Sequence, residues 1–578
     1  MKTRPERKKS DEASPTAMMG ISRSTLTGGF IILAAVFIAF APAMSGGFIW
    51  DDDAYVTQNP LLTEPDGLLR IWFSAHHQSQ YFPLVFTTFR MEYALWGLNP
   101  LGYHVVNILL HCANAFLVWL LLKRLALPGA WLAAAVFALH PVQVETVAWI
   151  TELKNTESTL FYLLGLLAWM KFTDETGSGR WRFYAAALAL HLLALFSKTT
   201  ACTLPAPMLL VLWLRHRPVN LQRLIQVLPF FLLGVIMGLV SVWWETHLGA
   251  HKVAGGLNFT MVQRLLIATR ALWFYAGKLA WPVDLTFSYP HWDINAADPW
   301  QYSWAAGCAL FAALLFYWRR KLGRGPVAAI VFYVAVLSPM LGFFSLYTFY
   351  YTFVADHYQY LACLGPIALF AAVATRLSRQ WRWSQAARTV AAGSILLTLG
   401  VLTWNQAGAY RNQETLWRDT LAKNPACWMA RVNLSKMLFE QGKRDEAETQ
   451  IREAVQLKPD DETVRYNFGN LLLRTGRADD AIVQYQYALQ LNPSDPEVCN
   501  NLGIAFYQQH RLDEAVAQFQ AATRLKPEDA RMHYNLGNAL ASARRIDEAT
   551  REYREAVRLE PGSVEFSNRL RALTATPN

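Results

Sequence analysis

Three consecutive carboxylates, Asp51, Asp52 and Asp53 in FIWDDDAYVTQNP, stand directly behind a long apolar run. Adjacent carboxylates repel one another and raise at least one pKa unless a cation or hydrogen-bond donors compensate. Such a cluster suits a general base or a metal ligand at a membrane edge, and equally a solvated acidic loop. A second group lies in HPVQVETVAWITELKN, which carries His140, Glu145, Glu152 and Lys154. Ionisable groups at membrane depth are costly, which favours a role for His140 and Glu145, although Glu145 could simply pair with Lys154. Pro141 can open a helix turn there and free backbone groups for a ligand. Lys198 in LFSKTTACTLP either snorkels or meets a lipid phosphate. Tyr350, Tyr351, Asp356, His357, Tyr358 and Tyr360 crowd YYTFVADHYQYLA; an interfacial aromatic belt explains the tyrosines but not the Asp356-His357 pair. Asp284, Tyr289 and His291 complete the set in WPVDLTFSYPHWD.

The elements that must position these groups follow from the distribution of charge. The 578-residue chain is 53% apolar and 17% charged, and residues 411 to 578 hold 47 of its charged side chains, about half of the total, so the first 410 residues are charge-poor. They contain a succession of runs of about 20 apolar residues, the length that crosses a roughly 30 Å hydrocarbon core, which excludes a purely soluble enzyme. Arg4, Arg7, Lys8, Lys9 and Arg23 precede the first run, 28 to 46. Ala41-Pro42-Ala43 imitates a signal-peptide cleavage site, but the run is long for one and is read as an uncleaved anchor. Further runs lie near 104 to 122, 130 to 148, 157 to 171, 182 to 197, 200 to 214, 225 to 244, 303 to 318, 327 to 346, 357 to 375 and 388 to 405, giving about eleven spans. The stretch 262 to 281, punctuated by Arg264, Arg270 and Lys278, reads as an amphipathic helix on the membrane surface.

The net charge of +10 is concentrated in the first 410 residues, which carry +11. It sits in short loops at Lys123-Arg124, Lys171 to Arg182, Arg215 to Arg223, Arg319 to Arg324 and Arg376 to Arg388. With eleven crossings all of these face the cytoplasm, as the positive-inside rule requires, so no nucleic-acid partner is expected. The N-terminus is then cytoplasmic and the acidic loop and the C-terminal domain extracytoplasmic, periplasmic in a bacterial inner membrane. The polar groups gather on that outer face, which suits chemistry on a lipid head group better than transport, where ionisable groups belong near the midplane. A soluble nucleotide donor is not expected, because no glycine-rich nucleotide loop is present. The six cysteines form no CxxC pair and read as small apolar residues.

From residue 425 a period of 34 appears in Pro425, Pro459, Pro493, Pro527 and Pro561, in Asn433, Asn467, Asn501 and Asn535, and in Ala447, Ala481, Ala515 and Ala549. Gly469, Gly503 and Gly537 join it where helices should pack closely. This is the tetratricopeptide signature, with four helical pairs near 427 to 460, 461 to 494, 495 to 528 and 529 to 562. Stacked pairs form a superhelix with a concave face for an extended chain. The four asparagines could donate hydrogen bonds to a bound peptide, or satisfy local helix ends.

With these pieces in hand, the chain resembles the transmembrane and tetratricopeptide-repeat O-mannosyltransferases, as a bacterial relative within the GT-C superfamily. The matching segments are WDDDAY at 50 to 55, YFPLVFTTFRMEYALWGLNPLGYHVVNILLH at 81 to 111, HPVQVETVAWI at 140 to 150, SKTTACTLP at 197 to 205, ADHYQYL at 355 to 361, and the repeats. The architecture expected is all-α: a basic leader (1 to 27), a GT-C-like bundle of about eleven spans (28 to 405), a linker helix (406 to 424) and the repeat domain (425 to 578). The resemblance implies a polyprenyl-phosphate-linked sugar, mannose in the animal proteins, moved to a serine or threonine hydroxyl of a protein held by the repeats. It implies Asp51 and Asp52 as the catalytic pair, one of them deprotonating the hydroxyl. Negative charge builds on a phosphate leaving group and needs positive partners, for which Lys154 and Lys198 are the candidates, with His357 a third where the animal proteins typically carry arginine. His140, Glu145 and Asp356 complete the expected substrate site. A monophosphate donor lessens the need for a divalent metal, so no metal and no cofactor are expected. The competing expectation is an inactive membrane-anchored tetratricopeptide scaffold for envelope assembly; a lipid-linked sugar carrier is disfavoured by the clustering on one face.

Overall fold

The computed structural model describes residues 23–74, 80–247, 259–344 and 347–575, so Arg4, Arg7, Lys8 and Lys9 of the leader lie outside the described residues. Among these residues there are helices, turns and loops but no strand. The helices of eight residues or more in the first part are α1 (Arg23–Ala39), α2 (Pro83–Trp96), α3 (Pro100–Arg124), α4 (Ala130–Leu139), α5 (Leu153–Asp174), α6 (Trp181–Ser197), α7 (Pro205–Leu214), α8 (Leu221–His247), α9 (Met261–Ala280), α10 (Ser303–Leu322), α11 (Arg324–Leu337), α12 (Leu364–Gln380) and α13 (Gln385–Ala409). Each of the eleven apolar runs carries one of them, and α9 occupies 262 to 281. Among the described residues three helices are long and apolar enough to cross a membrane, α3, α8 and α13, or four if α4 and the following Pro141–Ala148 segment count as one bent span; 26–39, 199–214 and 324–340 are shorter apolar helices.

Local sequence sets the helix ends. Asn99 accepts a hydrogen bond from Leu101 N–H at 3.2 Å and Pro100 opens α3, the pairing expected of a capped N-terminus. Thr260 and Gln263 cap α9 reciprocally. Two apolar runs are shorter as helices than their composition suggests. The run 357 to 375 becomes regular helix only at Leu364, and 200 to 214 only at Pro205; the residues before each helix turn back toward a shared cavity.

The basic loops gather at one end of the bundle. Arg215 pairs with Asp174 at 2.8 Å, Arg324 donates to Trp213 O at 2.5 Å, and Gly129 abuts Ala371 and Thr375. Helix α5 leads from Lys154 to that end over 22 residues, roughly 33 Å at the helical rise.

The second part comprises α14 (Gln413–Lys423), four antiparallel pairs, and a terminal α23 (Val564–Ala575). The pairs are α15 (Trp428–Glu440) with α16 (Arg444–Leu457), α17 (Glu462–Arg474) with α18 (Ala478–Leu491), α19 (Pro496–Gln508) with α20 (Leu512–Leu525), and α21 (Ala530–Ser542) with α22 (Ile546–Leu559). Asp461, Asp495 and Asp529, 34 residues apart, cap the first helix of units two to four. A β-carbon on Gly469, Gly503 or Gly537 would lie 2.6, 2.8 or 2.7 Å from the aromatic ring of the pairing helix, so glycine is what lets the two helices approach. Ala447, Ala481, Ala515 and Ala549 are fully buried at the same interfaces.

Candidate active site

The chain after α1 reverses direction at Ile49–Asp52. Asp52 holds this reversal: its Oδ2 accepts from Ile49 N–H at 2.8 Å, and its Oδ1 accepts from Thr151 N–H at 2.8 Å and from the Thr151 hydroxyl. Asp52 is fully buried, and burial pushes its carboxyl up to about 7 against the hydrogen bonds from Thr151 and Ile49. Within this turn Trp50 has φ +50°, a left-handed backbone that a bulky residue adopts only under compensation. The consequence is that Trp50 and Asp51 both face a large cavity while Asp52 faces the protein.

The opposing segment is shaped by a break. The α4 axis bends by 55° across His140 into Pro141–Ala148, where His140 Nδ1 receives Val142 N–H at 3.4 Å and Nε2 lies 3.0 Å from Leu279 O. His140 therefore pins the bend. Asn107 donates to the carbonyls of Trp149 and Ile150, both at 3.3 Å, and the bend brings Glu145 and Glu152 to the cavity.

The cavity has a volume of about 880 Å³ and is lined by Asp51, Glu145, Glu152, Lys154, Lys198 and His357 among a mostly apolar remainder. Glu152 is fully buried. Lys154 Nζ lies 2.9 Å from its Oε1 and Lys198 Nζ 3.5 Å from its Oε2, and Asn155 donates to Oε2. Burial alone would raise the Glu152 carboxyl, but the positive neighbours His357, Lys154 and Lys198 outweigh it and hold the group well below the carboxylate range. Burial brings Lys198 down to about 8 despite Glu152, with the Lys154 charge adding to the depression. Burial likewise raises Asp51 to about 6, with Lys154 opposing and Glu152 reinforcing. Lys154 stands over the rings of Tyr55 and Trp149 at 5.5 and 5.6 Å. Glu145 accepts from His357 N–H at 2.9 Å and its Oε1 sits 3.1 Å from His357 Nδ1, a close contact without a straight hydrogen bond.

The eight positions expected from sequence thus divide. Asp51, Glu145, Lys154, Lys198 and His357 meet in one cavity; Asp52 and His140 anchor the turns around it. Asp356 is also outside the cavity, buried and accepting from Tyr289 hydroxyl at 3.1 and 3.0 Å, because the turn at 356–359 that exposes His357 rotates its neighbour inward. Glu152 is the group the sequence reading left out of the site. Its signal was present in the ELK spacing, but nothing local shows that Lys198, 46 residues on, joins it.

Beyond the charged end the cavity runs between Phe231, Val235 and Leu239 of α8 and Phe343 and Phe344. Gly238 on the same face has open space where a side chain would stand. One cavity therefore joins a charged end and a long apolar channel.

The repeat domain sits against the charged end. Trp417 meets Trp50 edge-on at 5.2 Å, Lys423 donates to Leu285 O at 2.8 Å and Asn424 to Ser288 O at 3.0 Å, and Met429 lines the cavity itself. Asp51 and the repeats are consequently on the same side of the bundle. The repeat asparagines are engaged within the domain. Asn433 and Asn467 donate to carbonyls four residues back at 2.8 and 2.7 Å. Asn501 donates to Asn470 at 2.9 Å, and Asn535 to Asn500 at 2.9 Å.

A family model described as tetratricopeptide repeat matches residues 408–462, 438–496, 466–529 and 500–564. The chain is 25% identical over 555 residues to the protein O-mannosyl-transferase Tmtc1 of Drosophila melanogaster, covering 76% of this chain and 62% of that protein. It is 23% identical over 453 residues to the protein O-mannosyl-transferase F38B6.6 of Caenorhabditis elegans, covering 74% and 62%. The homologues of this chain are TMTC-type protein O-mannosyl-transferases. The mouse TMTC2 protein matches at 34% over 146 residues, 23% of this chain and 17% of its own length. The chain thus spans about three fifths of the length of the first two TMTC relatives, and it joins an apolar helical bundle to the repeats that the family model matches.

Proposed function

We propose that the protein is a membrane glycosyltransferase that moves a sugar, mannose by analogy with its relatives, from a polyprenyl phosphate to a serine or threonine hydroxyl of a polypeptide. The observation that carries this reading is the single cavity in which Asp51, Lys154 and Lys198 meet at one end and an apolar channel forms the other. A lipid phosphate has the same division, a charged head on a long hydrocarbon chain.

Asp51 is the base. Ionised, it takes the proton of the acceptor hydroxyl as that oxygen attacks the anomeric carbon, while the bond from that carbon to the phosphate oxygen breaks with inversion. Lys154 and Lys198 stabilise the charge that develops on the departing phosphate, aimed there before the reaction begins. With two ammonium groups at that point, the reading requires no divalent metal. Glu152 and Asp52 are positioning residues: Glu152 holds the two lysines together, and Asp52 holds the turn that presents Asp51.

The test measures transfer from polyprenyl-phosphate mannose to serine- and threonine-containing peptides by the purified full chain. Asp51→Asn should lower kcat by about 10²- to 10⁴-fold, the usual worth of a positioned base, with donor binding retained. Undiminished transfer by that variant would remove Asp51 from the mechanism, and no transfer by the parent would leave the scaffold reading.

A further inference from the structure

The first repeat departs from the other three at its start. Units two to four open on a capping aspartate, whereas unit one has Cys427 in that place with no side-chain cap. The next residue, Trp428, packs on Tyr350 and Tyr351 with ring centroids at 5.5 and 5.6 Å. Tyr350 in turn donates to Asp461, the cap of unit two. The beginning of unit one is therefore given over to a junction with the loop that carries His357, and one residue later Met429 lines the cavity, as do Tyr351 and Trp50.

We propose that Met429, Tyr351 and Trp50 form an acceptor subsite that reads the residue next to the modified hydroxyl and favours an uncharged, apolar one. The proposal rests on the transferase reading and deepens it. Met429 of unit one lines the cavity that holds the charged groups, so a polypeptide held by the repeats meets the cavity at unit one. A thioether lining the same cavity as two aromatic residues gives an adaptable apolar surface. Met429, Tyr351 and Trp50 offer a charged neighbour no partner of their own, so it would lose hydration against them. The repeats on this view are one wall of the reaction chamber, and unit one contributes specificity at the hydroxyl itself.

The experiment presents peptides with one threonine and a varied adjacent residue to the full-length protein with polyprenyl-phosphate mannose as donor. Met429→Ala should raise kcat/KM for bulky neighbours relative to small ones by about tenfold, the scale on which an apolar pocket discriminates. Met429→Gln, close to methionine in length, keeps the packing and should raise relative use of polar neighbours. The surface variant Arg511→Ala should keep the parent profile. A parent that transfers sugar while both Met429 variants keep its neighbour preference overturns the subsite and leaves the transferase reading standing. A parent that transfers to no peptide overturns both.

Discussion

The membrane half and the repeats both use pairs of opposite charge, with different consequences. In the repeats Arg511–Glu514, Arg545–Glu548 and Arg558–Glu555 are three residues apart on helix surfaces and well exposed. Exposed pairs of this kind contribute little, because water already solvates both partners. In the cavity, Glu152 is inaccessible and bridges Lys154 and Lys198. Removing one partner there strands the others in a dry site. The same residue types lie solvated on the surface in one region and enclosed in a cavity in the other, and burial is what separates the two.

The largest expected effect tests this directly. Glu152→Gln leaves two ammonium groups without their carboxylate and should cost about 3–5 kcal/mol of stability, seen as a fall in Tm and a higher KM for the donor. A parental Tm would erase the distinction between the regions. Gly503→Ala is a packing change in the other half: the new methyl meets Phe519 at 2.8 Å and should cost about 1–2 kcal/mol. That loss should appear in unfolding of the repeats, and no loss would mean that the α19–α20 interface is looser than the structure indicates.

The comparison is sharpened by pH. Asp51 must be ionised to accept a proton, so kcat/KM should climb as pH rises through about 6. Lys198 must be protonated to hold phosphate, so kcat/KM should fall as pH rises through about 8. Outside these limits the change should approach about tenfold per pH unit, and Lys198→Arg should abolish the alkaline fall. A flat profile across this range would detach both groups from the reaction. The smallest effect is expected for Arg511→Ala, which should leave Tm and transfer unchanged; a clear drop would show that the surface pairs matter more than their exposure implies.

Much of this was legible in the chain. The apolar runs all carry helices, and the 34-residue period resolved into four helical pairs, three of them with glycine at the close contact. Asp51, Lys154 and Lys198 were identifiable because acids and lysines are rare along an apolar stretch. Legibility failed where neighbours in sequence face opposite ways. Asp51 and Asp52 look equivalent in WDDD, yet the strained turn at Trp50 sends one into the cavity and buries the other. Asp356 and His357 divide similarly. The asparagines of the repeats follow the period, and each donates an amide N–H to a partner within the domain that the period alone does not identify.

The order of amino acids by itself determined which segments are helical, where the bundle gives way to repeats, and which end of the bundle is basic. Each depends on composition and spacing within a few turns of chain, where hydrophobic burial and local hydrogen bonds act. Only the tertiary structure decided that Glu152 joins Lys154 to Lys198, that Asp52 is held by Thr151, and that Met429 lines the same cavity as Asp51. Glu152 and Lys198 are 46 positions apart and Asp52 and Thr151 are 99, and the energy of a buried charge depends on what is brought beside it.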